Sequence, residues 1–298
     1  MNIRNYCYNG EKKFHLRDFA TNDTAEFSTR EEAEALLAAN QERMAQLQDR
    51  LYAENKEAVL IVIQAMDAAG KDGAIKHVIS GMNPQGVTVQ NFKQPSSEEL
   101  DHDYLWRAMR ALPERGNIGI FNRSYYEDVL VVKVHETLQT SMMLPDRCKT
   151  DKLFKQRYQQ IRHFEKYLYQ NGIRVIKIFL HLSKDEQKRR FLERIDNPEK
   201  NWKFSQSDIE ERTYWDDYQQ AYEDAIRETS TKNAPWYIVP ADKKWFARLL
   251  ISQIIVNTLE DIDPQYPELP ADKKALLRQC REQLLSEDAN CNPNNKET

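Results

Sequence analysis

The segment AVLIVIQAMDAAGKDG, residues 58–73, leaves this chain fewer folds than any other stretch of it. Val59 to Ile63 form an unbroken apolar, mostly β-branched run, too apolar for a strand with one wet face, so it predicts a parallel strand buried on both sides. A glycine-lysine loop follows at once and opens a helix. In such a loop backbone N–H groups turn inward, while the next helix aims its unpaired amides and positive dipole end at an anion. The segment therefore predicts a phosphate-binding loop: Ala68, Ala69, Gly70, Asp72 and Gly73 line the anion and Lys71 leans over it.

The loop departs from the GxxxxGK[ST] pattern. Ala65 stands where the first glycine belongs, and Asp72 replaces the hydroxyl residue that normally touches magnesium. Asp67 is stranger: a carboxylate about 4 Å from a phosphate charge is repelled by roughly 4 kcal/mol at an effective dielectric of 20. It is tolerable only if it points away or a cation bridges it. Asp67 is therefore the candidate magnesium ligand, with an Asx turn that shapes the loop as the alternative. Asp72 reads equally as an acid favoured by the helix dipole. The chain has only 8 glycines in 298 residues, well below the roughly 7% typical of proteins. Two of them, Gly70 and Gly73, sit here, which implies close ligand approach, a positive φ or tight helix packing.

Five apolar runs, residues 58–65, 87–92, 117–122, 173–182 and 236–240, alternate with helical periodicity and predict a five-stranded parallel sheet covered on both faces. Residues 96–112 read as one helix with a Ser96/Glu99 capping box. Residues 207–229 read as another, with the same box at Ser207 and Glu210 and a stripe of Trp215, Tyr218, Tyr222 and Ile226. Phe154, Tyr158, Ile161, Phe164 and Leu168 give a third helix its core face. No linker divides the chain, so one domain over residues 1–298 is expected. It comprises an N-terminal extension and flanking helix (1–55), a lid (184–207), and a C-terminal helix and tail (261–298) that loses order from about residue 287.

The third strand runs into NIGIFNRSYYEDVLV. At the carboxyl end of a strand beside the loop strand, Asn122, Arg123 and Ser124 reach the ligand. Arg123 can grip phosphate with a fork of donors; the alternative is a salt bridge to Glu127 or Asp128. Asn122 occupies the position of a Walker B acid, and Glu127 can reach a nucleoside hydroxyl or base amine. In KDEQKRRFLERIDNPEKNWKFS, Arg190 and Arg194 share a helical face before an Asn197–Pro198 break. That pattern suits a lid that neutralises charge and excludes water, as against a merely solvated helix.

Composition narrows the class. A net charge of −4 argues against a general nucleic-acid binder. A mean hydropathy of −0.79, and no apolar stretch near the roughly 20 residues that span a bilayer, argue against the membrane. Cys7, Cys148, Cys280 and Cys291 are scattered at no zinc or disulfide spacing, and the N-terminus lacks a signal-peptide core. A soluble, cytoplasmic protein is expected.

AMDAAGKDG, FNRSYY and QKRRFLERIDNPEKNWKFS, in this order and at these intervals, resemble the polyphosphate kinase 2 family over roughly residues 30 to 260. The resemblance implies a three-layer α/β/α sandwich of P-loop kinase type, akin to thymidylate kinase, with a helical lid. It also implies a magnesium requirement that manganese can substitute, and reversible phosphoryl transfer between inorganic polyphosphate and nucleotides in a homodimer or homotetramer. Asp67 and Lys71 match the family's loop acid and lysine, Arg123 its strand-end arginine, and Arg190 and Arg194 its lid arginines. Many members carry Asp where this chain has Asn122. The Asn form resembles the branch expected to accept both nucleoside mono- and diphosphates. Lys76, Lys133, Lys188, Arg189, Lys200 and Lys203 are candidates to line a polyphosphate path. The competing readings are an ATP-dependent nucleoside or nucleotide kinase and a non-catalytic phosphate-binding protein.

Overall fold

The computed structural model describes residues 1–135 and 144–290, without the side chains of residues 288–290. It divides into two compact units, Met1–Pro264 and Gln265–Thr298. The first holds the sheet. Strand β2 (Ala58–Ala65) is buried at all of its positions, as its apolar run predicts. It lies between β5 (Ile173–His181) and β4 (Ile118–Asn122), both parallel to it. β3 (Val87–Asn91) flanks β4, and β6 (Trp236–Pro240) flanks β5.

The sheet has six strands, not five, in the order β1-β6-β5-β2-β4-β3. The unexpected β1 (Cys7–Tyr8) pairs antiparallel with β6. Two residues are too few to show a strand period, so pairing alone reveals it.

Alternate side chains of β2 feed two cores, the basis of the three layers. Val59, Ile61 and Ile63 pack with Met44, Leu47 and Leu51 of α1 (Arg30–Glu54) and with α2 (Lys71–Val78) and α10 (Lys244–Ile262). Leu60 and Val62 join Phe121, Tyr158, Ile161, Phe164 and Leu168 on the other face. That face also takes the predicted stripe Trp215, Tyr218, Tyr222 and Ile226.

Two predicted helices are interrupted. Residues 96–112 form α3 (Ser97–Leu100), with the Ser96/Glu99 capping box, and α4 (Trp106–Arg110). Between them Asp103 accepts from the Leu105 N–H at 3.0 Å, a side-chain turn that competes with helix. Residues 207–229 split into α8 (Ser207–Glu211) and α9 (Trp215–Thr229). The Ser207/Glu210 box does not form: the chain is already helical at Gln206, and Ser207 Oγ lies 2.8 Å from Ser205 Oγ instead. The remaining helices are α5 (Val131–Val134), α6 (Leu153–Gln170) and α7 (Lys184–Asp196).

In the second unit α11 (Ala271–Asn290) continues past residue 287, so helix replaces the expected loss of order there; residues 291–298 lie outside the described residues. Among the described residues no helix is long and apolar enough to cross a membrane.

Candidate active site

β2 ends at Ala65 and α2 begins at Lys71, with Gly70 as its cap at φ +99° and no side-chain cap. The first intrahelical bond runs from Ala74 N–H to Gly70 C=O at 2.9 Å, so the amides of the turn before it have no helical partner and face an anion site. Gly70 is demanded by its backbone angle. Gly73 is not: a Cβ there meets only Arg248 Nη2 at 3.8 Å, an ordinary contact. Ala68 is left-handed at φ +61°, which costs an L residue about 1–2 kcal/mol. Arg123, just past β4, is left-handed too, at φ +63°. Two such residues facing one loop are the strain expected at a functional site.

Register places the charged groups. Asn122 lies opposite Ile63 of β2 and Asn91 of β3, so the carboxyl end of β4 opens beside the loop. Arg123 Nη2 donates to Asp67 Oδ1 at 3.2 Å; its partner is neither Glu127 nor Asp128, the two carboxylates nearest in sequence. Lys71 Nζ donates to Ala65 O at 3.0 Å. Burial lowers the Lys71 pKa, against the pull of Asp67. Burial raises that of Glu127, against Arg123 and Lys71. For Arg123 burial opposes the charge, but Glu127 and Asp67 outweigh it and the pKa rises. Asp67, Glu127, Lys71 and Arg123 thus form one electrostatic cluster, two acids against two bases. Asn122 donates to Asp72 and Asn91. Ser124 is fully buried and accepts from Gln64 Nε2 at 3.0 Å and from Tyr126 N–H at 3.2 Å, so it supports the cluster rather than facing it.

The sequence profile of polyphosphate kinase 2 matches residues 27–267. The chain belongs to the polyphosphate kinase 2 family. It is 54% identical over 276 residues to an ADP-polyphosphate phosphotransferase of Rhodopseudomonas palustris, covering 92% of this chain and 95% of that one. It is 47% identical over 268 residues to an AMP/ADP-polyphosphate phosphotransferase of Meiothermus ruber, covering 89% and 96%. The crystal structure of polyphosphate kinase 2 from Arthrobacter aurescens superposes with a TM-score of 0.81 at 39% identity, over 89% of this chain and 93% of that one.

Arg190, expected to face the ligand from the lid, is instead buried beneath the loop. Its guanidinium bonds Ala68 O and Ala69 O, Ala241 O and Asp242 O, and Glu186. Periodicity gives the helical face of Arg190; the fold turns that face inward. Arg194 donates to Lys203 O at 3.2 Å and lies 3.7 Å from Asp208. Asp208 in turn feels Asp67 and Arg123 electrostatically, so Arg194 belongs to the rim of the cluster.

Several basic residues expected along a polyanion path are already paired. Lys133 bonds Asp224 at 2.6 Å and Tyr158 Oη at 3.3 Å. Arg189 bonds Glu186, and Lys200 bonds Glu193. Lys203 sits over the Trp202 ring at 4.9 Å; Lys76 and Lys188 are exposed. Sequence reasoning missed Gln187, which donates to Asp67 O at 3.0 Å. Its signal was its place three residues before Arg190, on the same helical face. Asn91 was missed as well, and only the β3–β4 register reveals it.

Asp67 is a third exposed at the loop mouth, and no group of three or more His, Cys, Asp or Glu converges among the described residues. Magnesium takes one or two protein carboxylates and completes its shell with water and substrate phosphates, so this donor set suits it.

Proposed function

We propose that this chain transfers the terminal phosphoryl group of inorganic polyphosphate, reversibly, to nucleoside mono- and diphosphates, taking AMP to ADP and ADP to ATP. The observation that carries the reading is the pair of cations, Lys71 and Arg123, set with Asp67 at an anion-binding helix start. The names of the Rhodopseudomonas and Meiothermus relatives support both the donor and the two acceptors.

An acceptor phosphate oxygen attacks the terminal phosphorus, and the bond to the bridging oxygen breaks, releasing polyphosphate one unit shorter. A diphosphate acceptor attacks with an oxygen already ionised, so alignment and neutralisation matter more than a general base. The loop amides hold the donor's terminal group, while Lys71 and Arg123 offset charge on its equatorial oxygens. Arg194 and the lid over residues 184–207 exclude water. Asp67 would hold magnesium, which when bound neutralises phosphate charge; manganese would fit the same oxygen donors.

The reading extends to a cytoplasmic homo-oligomer acting on nucleotides and polyphosphate, apart from nucleic acid and membrane. The free thiols of Cys7, Cys148 and Cys280 support a reducing compartment. The test supplies AMP or ADP with either polyphosphate or ATP as sole donor. Polyphosphate should sustain ADP and ATP formation, whereas product from ATP alone would establish an ordinary nucleotide kinase.

A further inference from the structure

Three successive carbonyls of the loop turn towards α7 and accept from it. Gln187 Nε2 donates to Asp67 O at 3.0 Å. Arg190 Nη1 donates to Ala68 O at 3.1 Å and to Ala69 O at 2.8 Å. The other Arg190 donors are also committed: Nη2 to Ala241 O at 2.6 Å and Asp242 O at 3.2 Å, and Nε to Glu186 Oε1 at 2.7 Å. A guanidinium has five N–H groups, and these contacts supply five acceptors. None remains for a phosphate.

A trans peptide points its C=O and the next N–H in opposite directions. Carbonyls held against α7 therefore turn the Ala68 and Gly70 N–H groups to the opposite side of the loop, while Ala69 N–H closes a turn onto Met66 O at 3.2 Å. The same bonds hold Ala68 in its left-handed conformation. Gln187 is fixed in turn by a residue just beyond the lid. Arg212, in the turn that follows α8, donates through Nη1 to Gln187 Oε1 and to Lys184 O, each at 2.8 Å. With an acceptor carbonyl on one side and a cationic donor on the other, the Gln187 amide has one orientation that satisfies both.

We propose that Gln187 and Arg190 are positioning residues that aim the phosphate loop, and that Arg212, just beyond the lid, is coupled to that loop through Gln187. Arg190 thus acts on the reaction through the backbone of Ala68 and Ala69, without touching the transferred group. The inference rests on the loop binding the donor phosphate, as proposed above.

The experiment measures kcat and KM for AMP phosphorylation by the full chain, alongside tripolyphosphate binding by calorimetry. It compares wild type with Gln187→Leu, Arg212→Ala, the double variant and Arg190→Lys. Misaiming the loop should lower kcat about 10- to 100-fold with little change in the KM for AMP, because the donors on α7's buried face are spent on protein acceptors. The double variant should be no worse than the poorer single, since both cut one chain of contacts. Arg190→Lys, which keeps the charge but not the fork of donors, should fail as badly as Gln187→Leu.

Independent, multiplying losses in the double variant, or full kcat in Gln187→Leu and Arg212→Ala, would overturn the coupling. Wild-type activity in Arg190→Lys would overturn the positioning role. Should Gln187→Leu not fold, the half-exposed Arg212→Ala decides. An inactive wild type would defeat the proposed reaction instead, and tripolyphosphate binding would still decide the inference: weaker in Gln187→Leu if the clamp aims the loop, unchanged if it does not.

Discussion

The side-chain amide of Asn122 donates to the Asp72 carboxylate across 2.7 Å and to Asn91 Oδ1 across 2.8 Å. The acid at 72, a departure from the standard loop pattern, and the uncharged residue at the Walker B position thus belong together, because an uncharged residue at 122 lets an acid stand at 72. In Asn122→Asp two carboxylates would meet at hydrogen-bond distance with no proton between them. The variant should melt earlier and lose activity with AMP more than with ADP. Adding Asp72→Asn should restore the melting temperature. Equal losses with both acceptors, or no rescue, would break this link between charge and acceptor choice.

Burial raises the Glu127 pKa above its ordinary 4.5. The cost of its buried charge is present at neutral pH and is relieved as pH falls through the raised value. Protonation shifts the cluster of Asp67, Glu127, Lys71 and Arg123 from formally neutral to net positive. Polyphosphate should therefore bind less tightly to wild type than to Glu127→Gln at neutral pH, the difference closing as pH falls through the raised Glu127 value. Calorimetric titration of both proteins across that window measures it, and parallel pH profiles would refute the assignment.

Lys177 of β5 and Glu165 of α6 form an ion pair at 2.7 Å, 0% and 1% exposed, deep in the core. Lys177 also donates to Tyr126 Oη at 3.2 Å and Thr229 O at 2.8 Å. Removing one partner strands the other charge, so Lys177→Met should cost about 3–5 kcal/mol. Urea unfolding reads that loss. An unchanged midpoint would mean that Glu165 takes up a proton at little expense.

A polyanion held by cations releases counterions on binding, so the apparent polyphosphate affinity should fall at least tenfold between roughly 50 and 200 mM salt. Because Lys133, Arg189 and Lys200 are engaged by Asp224, Glu186 and Glu193, replacing exposed Lys76 or Lys188 should flatten the salt slope more than replacing Lys133. A salt-independent affinity would argue against a basic path altogether.

The strand, loop and helix of residues 58–78 were legible because each is dictated locally: a strand buried on both faces, a glycine at positive φ, a helix start with free amides. The cluster of Asp67, Lys71 and Arg123 followed from the rule that ligands meet strand ends beside the loop. The burial of Arg190 beneath the loop was not legible for a physical reason. Helical spacing fixes which residues share a face, but not whether that face meets water or the underside of a loop. The left-handed Ala68 leaves no mark in sequence, since only glycine and, less often, Asn or Asp announce that conformation, and Asn91 joins Asn122 only through β3–β4 pairing. Strand β1 is shorter than any pattern that could announce it.

The central claim is that the loop of residues 65–73 works on the transferred phosphoryl group. Its most direct test is the rate of ADP formation from AMP and polyphosphate by Lys71→Ala beside wild type. Loss of Lys71 should lower kcat by about 10²- to 10³-fold while the protein stays folded. A Lys71→Ala variant that turns over at the wild-type rate would contradict the account.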